Sequence, residues 1–252
     1  MQKKYIIIGS ILVIYVLIMI LIFGLKKETI SDNTYLVIGD NTRWEYKEKK
    51  WTNLEIQDDK FDERKFEVYK DQVYQGSYYL QNYNDTWYFF DEFGTSHNLY
   101  GELFAYSSPN KIDVINFNIE IPTIDKINNI LKKYDITITD LSELTQNQKI
   151  SYNFDNDEEL ESIYSISNLV IGDSELNAFS FVIYEDDNKL YEIIANIDDV
   201  NYIYNISNII DFNLDSKYEI IIEHQKPMDP TMNCHSMYKL NKGKYELLKS
   251  CG

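Results

Sequence analysis

Between residues 42 and 118, aromatic and β-branched side chains alternate with polar ones in short runs, and Asn, Asp and Gly clusters separate the runs. A side-chain period of two buries one face of a strand and wets the other. Such a region folds into short antiparallel strands joined by tight turns. "RWEYKEKKWTNLEI" predicts a hairpin, with Trp44 and Tyr46 on one arm, Trp51 on the other and a charged turn between them. "KFEVYKDQVYQGSYYLQNYNDTWYFFDE" predicts a meander of strands at 65–69, 73–80 and 86–90, whose turns carry the polar residues that turns favour. "LFAYS" and "KIDVINFNI" supply two more strands. Residues 42–118 therefore read as a small antiparallel β unit with a core of Tyr, Trp and Phe.

A different period begins at Pro122, which stops the preceding strand. Ile124, Ile127, Ile130 and Leu131 fall on one face at helical spacing, and Thr123 can cap the start. The spacing predicts one short helix near 123–134, inside a helix-and-connector segment spanning 119–150.

Beyond residue 150 the chain repeats itself weakly. "NFDNDEELESIYSISN" at 153–168 and "DFNLDSKYEIIIEH" at 211–224 align without a gap, 58 residues apart, and an apolar strand follows each acidic loop. In both, positions one, three and five are Asn or Asp and position nine is Glu. Side chains at alternate positions of a tight loop can converge on one point, and a hard cation takes six to eight oxygen ligands at about 2.3–2.6 Å. One candidate site is Asn153, Asp155, Asp157, the Glu159 carbonyl and Glu161. The other is Asp211, Asn213, Asp215, the Lys217 carbonyl and Glu219. The second is expected to be the better cation site, because it opens on a charged Asp and the first on a neutral Asn. Solvated Asx-type turns use the same residues without a metal.

The two segments resemble FG-GAP/VCBS repeats, whose signature is D-x-[DN]-x-D-G-x-x-[DE] followed by a hydrophobic strand. The resemblance covers residues 151–252. It implies an extracellular adhesion or sugar-binding protein of propeller-blade-like or sandwich-like repeats, with Ca2+ in the acidic loops. The glycine that the family carries at position six is Glu158 in one loop and Ser216 in the other. That residue permits a sharp turn with positive φ, so a strained or outward-pointing Glu158 carboxylate is expected.

The first 27 residues differ from the rest. "YIIIGSILVIYVLIMILIFGL", residues 5–25, has no charge and no proline, and at about 1.5 Å per residue makes roughly 31 Å of helix, a bilayer's apolar thickness. The run is longer than a signal peptide's apolar region and no small-residue cleavage site follows it. It reads as an N-terminal transmembrane helix that anchors the chain in a lipid bilayer, with a linker at 28–41 that leads into a first short strand. The four charges in residues 1–27 are lysines, so residues 28–252 keep 20 of the 24 basic residues and all 41 acidic ones, a net charge of −21. That field excludes nucleic acid as a partner and suits a domain held off an anionic surface. The expected location is the cell membrane, single-pass, with the C-terminal domain extracytoplasmic.

The two cysteines, Cys234 and Cys251, flank a predicted hairpin about "NKGK". Pairing Leu240 with Tyr245 and counting outward sets Cys234 opposite Cys251, within reach of a disulfide. His224 and His235 read as surface residues flanking a loop. No P-loop, G-x-G-x-x-G, H-E-x-x-H or G-x-S-x-G occurs. The sequence thus predicts a mainly β, non-enzymatic binding or structural module, possessing a cell-surface protein or glycan partner. A cell-envelope hydrolase with an unrecognised carboxylate pair is the alternative.

Overall fold

The computed structural model describes residues 33–39, 42–54, 64–83, 86–97, 103–169, 178–197, 202–226, 229 and 232–250. The chain is mainly β, with three antiparallel sheets and one short α-helix among these residues. The largest sheet holds β1 (Thr34–Ile38), β2 (Thr42–Lys47), β3 (Lys50–Asn53), β4 (Lys65–Lys70), β5 (Val73–Tyr83), β6 (Thr86–Phe90), β7 (Ser96–His97) and β8 (Leu103–Ser107). Their spatial order is β3-β2-β1-β8-β4-β5-β6-β7. The hairpin and the meander both form where the alternation places them. The first strand, β1, within the stretch 28–41, is fully buried and pairs with both β2 and β8 in the interior of this sheet.

After β8 the chain crosses to a second sheet. Its first strand, β9 (Asp113–Ile115), pairs with β14 and not with the strands before it, so the expected unit ending at 118 is split between two sheets. Helix α1 (Ile124–Leu131) follows. Thr123 caps it by accepting from the Lys126 amide at 3.3 Å, and Ile127, Ile130 and Leu131 are buried.

Two four-stranded meanders complete the chain. The first is β10 (Gln146–Tyr152), β11 (Glu161–Asn168), β12 (Phe179–Asp186) and β13 (Lys189–Ile197), which form a sheet of their own. The second is β14 (Ile203–Asp211), β15 (Glu219–Gln225), β16 (Cys234–Asn241) and β17 (Lys244–Lys249), extended at its edge by β9. The repeat seen in the sequence is therefore real as topology. It begins one strand earlier than the acidic loops, which join the first two strands of each meander, and the expected boundary at 150/151 falls inside β10.

The sheets stack face to face. Ile150, Phe154, Ile163, Val182 and Tyr184 of the first meander interlock with Ile206, Ile209, Ile220, Ile222 and Leu240 of the second. The opposite face of the second sheet offers Ile210, Phe212, Ile221 and Met237 to Leu36, Ile38, Trp44, Trp51 and Phe104 of the largest sheet. Helix α1 covers the far face of the first meander, over Tyr164, Ile166, Phe179, Phe181 and Ile183. Sheets with both faces covered lose the hydrophobic-in, polar-out alternation, which explains why all eight residues of β11 are buried. The stacking is that of a layered sandwich; closure into a propeller is not seen among the described residues.

Three expectations are corrected here. No helix among the described residues is long and apolar enough to cross a membrane, which overturns the single-pass cell-membrane location; the apolar run 5–25 lies outside the described residues. His235 is packed into the interior, 7% exposed, and bonds Thr42 Oγ1 through Nδ1 at 2.8 Å, whereas His224 is half-buried and lies edge-on to Tyr204 at 4.9 Å. Burial draws their pKa values down to about 3 and about 4. In the terminal hairpin, Tyr238 pairs with Leu247 and Leu240 with Tyr245 as counted, but a bulge then sets Met237 against Lys249. The straight count that faced Cys234 with Cys251 therefore stops at the bulge. Cys234 is disulfide-bonded; Cys251, the one other cysteine of the sequence, lies outside the described residues.

Candidate metal centre

Both acidic loops are built alike. In the first, the Phe154 amide donates to Glu161 Oε2 at 2.6 Å; in the second, the Phe212 amide donates to Glu219 Oε2 at 3.3 Å. Each phenylalanine is driven into a core cluster, and this pins position two of the loop to the carboxylate at position nine. Asx-type bonds then shape the turn. The Asp157 amide donates to Asp155 Oδ1 at 3.2 Å and the Glu159 amide to Asp157 Oδ1 at 2.7 Å. In the partner loop the Asn213, Asp215 and Ser216 amides all donate to Asp211, and the Lys217 amide donates to Asp215 Oδ1 at 2.9 Å. Asn153 and Asn213 play matching parts: each amide nitrogen donates within its own loop, to the Asp157 carbonyl and to Asp215 Oδ2 respectively.

The backbone departs from the expected strain. Positive φ occurs at Asn156 in the first loop and at Leu214 and Ser216 in the second. Glu158 is not among such residues and is exposed, so of the two alternatives the strained one does not hold. Ser216, at φ 62°, does occupy the left-handed region where the family carries glycine. A non-glycine residue there costs about 1–2 kcal/mol, and glycine returns part of the gain as lost unfolded-chain entropy. Ser216→Gly is therefore expected to stabilise the fold by about 0.5–1 kcal/mol, read from the midpoint of urea unfolding; a loss of stability would contradict the assignment.

The loops part company over charge. Glu219 pairs across the ladder with Lys239, whose Nζ lies 3.4 Å from Asp215 Oδ2 and 3.8 Å from Glu219 Oε1. The second loop thus carries its own cation, an ammonium supplied by β16. In the first meander Ser162 pairs with Glu185, so the ladder continued by one residue puts Asp186 where Lys239 stands. An acid replaces the lysine. Among the described residues, no lysine or arginine forms an ion pair with Asp155, Asp157 or Glu161.

The consequence is a carboxylate cluster without internal neutralisation. Single oxygen atoms of Asp155, Asp157 and Glu161 all lie within 4.8 Å of one another. Burial pushes Glu161 up to about 7, and Asp155, Asp157 and Asp186 add to the shift as like charges. Asp186 is raised by burial and then by Asp187 and Asp155, and Glu159 by its contact with Asp187. Tyr184 is 0% exposed, its hydroxyl lacks a hydrogen-bond partner, and burial, reinforced by the charges of Glu161, Asp186, Asp155 and Asp157, raises its pKa. Ligands on opposite sides of a calcium ion stand about 4.6–5.2 Å apart, twice the bond length, and neighbouring ligands closer, so oxygens that all lie within 4.8 Å of one another can share one ion. Asn153 Oδ1, buried without a partner, is a further neutral oxygen on the same loop.

Asp155, Asp157 and Glu161 are thus brought together, whereas Asp215 and Glu219 are brought to a lysine and Asp211 accepts the amides of its own loop. Sequence reasoning missed Asp186, Tyr184 and Lys239. They enter through strand pairing, and the only trace in the sequence is the acidic "EDDN" turn that ends β12. No family model, curated protein or solved structure matches the chain.

Proposed function

We propose that the protein is a non-enzymatic β-rich binding or structural module of two FG-GAP/VCBS-like repeats, with Ca2+ fastening the 153–161 loop to the strands beside it. The observation carrying this reading is the exchange of Lys239 for Asp186 at equivalent ladder positions. One repeat carries a built-in ammonium; the other gathers carboxylates around the same point. An all-oxygen donor set favours hard cations, and the exposed Asp157 gives an entry path for the ion. Bound there, the ion would join the loop to β11 and offset the repulsion that raises Glu161. A rigid, stacked-sheet scaffold of this kind suits a protein or glycan partner. The hydrolase alternative gains little, since these carboxyl groups converge in a surface loop and do not face each other across a gap of about 5–9.5 Å.

Thermal melting at about pH 7.5 tests the metal. A site that binds only the folded state raises the melting temperature once Ca2+ passes its dissociation constant, in the 10⁻⁴–10⁻³ M range typical of weak modules, by about 1.4 kcal/mol of stability for each further tenfold. Asp157→Asn is expected to abolish the rise. A melting temperature unmoved by about 10 mM Ca2+ would refute the metal and leave the module reading standing.

A further inference from the structure

We infer a second binding site, for a small hydroxylated carboxylate (free, or as the acidic unit of a glycan), in the cavity between the β2–β3 hairpin and the 211–219 loop. The cavity measures about 390 Å³ and is lined by Tyr46, Lys49, Lys50, Trp51, Asn213 and Lys239, with Leu248 at its edge. Its charge runs against that of the whole molecule. The chain has a net charge of −17 and only 24 basic residues in 252, yet three of the seven described lining residues are lysines. Lys239 is engaged with Asp215 and Glu219. Lys49 and Lys50 are exposed and enter no ion pair among the described residues, so they leave a local positive surplus that draws an anion against the general field.

Two of the lining residues each carry a buried polar atom without a partner. Trp51 is 8% exposed, and its indole N–H has no hydrogen-bond partner; nor has the side-chain oxygen of Asn213. A donor and an acceptor left unmatched beside one cavity call for a ligand that both accepts and donates. A bare carboxylate only accepts, and a neutral polyol gives the lysines no charge to neutralise. A carboxylate bearing hydroxyl groups does both. The Trp51 ring, wedged 5.1 Å from Tyr46 and 5.1 Å from Phe212, holds an apolar surface beside the polar atoms, suited to the C–H face of such a molecule. The site deepens the binding-module reading and is independent of the metal, because the loop it borders is the one neutralised by lysine.

Titration calorimetry of the full chain in the presence of a calcium chelator tests this, with D-glucuronate, a linear tetrauronate, D-glucose, acetate and inorganic phosphate as probes. Glucuronate is expected to bind at least tenfold more tightly than glucose, acetate or phosphate, and a further gain with the tetrauronate identifies a glycan source. Lys49→Gln combined with Lys50→Gln is expected to weaken glucuronate binding by tenfold or more without moving the melting temperature, since both side chains are exposed. Trp51→Phe, which keeps the ring and removes the N–H, should weaken it also. Glucuronate binding no tighter than phosphate, or affinity unchanged in the double lysine variant, would overturn the site. Neither result would bear on a calcium-induced rise in melting temperature.

Discussion

Truncating Phe154 to alanine is expected to cost about 3–5 kcal/mol of unfolding free energy, the range for deleting a buried phenylalanine where neighbours cannot collapse. Phe154 occupies the second position of an acidic loop, where a solvated residue would be the ordinary expectation, yet it is 0% exposed. Its ring meets Tyr152 at 5.7 Å, Tyr184 at 6.1 Å and Tyr245 at 6.2 Å, all edge-on. These three tyrosines come from β10, β12 and β17, so the cavity would open between two stacked sheets whose backbones are held by their own ladders. The amide of the same residue holds Glu161, which ties packing of the loop to the position of its buried carboxylate. Leu160→Ala, at a position 72% exposed in the same loop, should stay within about 0.5 kcal/mol of the parent. Denaturant unfolding separates the two; a Phe154→Ala loss below about 1 kcal/mol would mean that the sheets do not pack through this residue.

Lys239→Met is expected to be nearly as damaging, but only where Glu219 is ionised. Glu219 is 0% exposed, and burial pushes its pKa up to about 8, with the Lys239 charge opposing and Asp215 and Asp211 reinforcing the rise. A carboxyl with a raised folded-state pKa binds a proton that the unfolded chain has released. Stability from that group is therefore full below about pH 4.5 and declines as pH climbs through the folded-state value. Glu161, raised to about 7, acts in the same direction. The protein should accordingly lose stability between about pH 5 and pH 8, opposite to the common acid-labile pattern. Removing the ammonium pushes the folded-state pKa of Glu219 higher still, so the variant's deficit opens as pH climbs past about 8, to about 2–3 kcal/mol near pH 10, and should vanish toward pH 5, where Glu219 is protonated in both. Glu219→Gln should flatten part of the slope. An equal loss at both pH values would mean that Lys239 acts through packing of its stem and not through charge.

The strands of the β2–β3 hairpin, the β4–β6 meander and helix α1 were legible because one-sided burial writes a period into the sequence. The stacking was not. β11 and β12 are covered on both faces, so "ESIYSISN" and "FSFVIYED" show no alternation that would say which residue meets which sheet. The same limit governed the site. Spacing alone identified both loops and converging oxygens at 155, 157 and 161. It could not rank them, because the deciding residues lie across a ladder: Lys239 opposite Glu219 in one repeat, Asp186 beside Glu161 in the other. Counting charges within the loop pointed to 211–219; pairing across the sheet points to 153–161. The terminal hairpin shows a related limit: Cys234 is disulfide-bonded, but the one-residue bulge beyond Tyr238 is invisible to a register extrapolated from its turn.

The central claim is that one repeat binds a divalent cation where the other uses a lysine. Calcium titration calorimetry on the full chain, run beside Asp157→Asn and Asp215→Asn, tests it most directly. One calcium per chain, lost in Asp157→Asn and kept in Asp215→Asn, is the predicted result. Two calcium ions per chain, none, or a single site abolished by Asp215→Asn would contradict it.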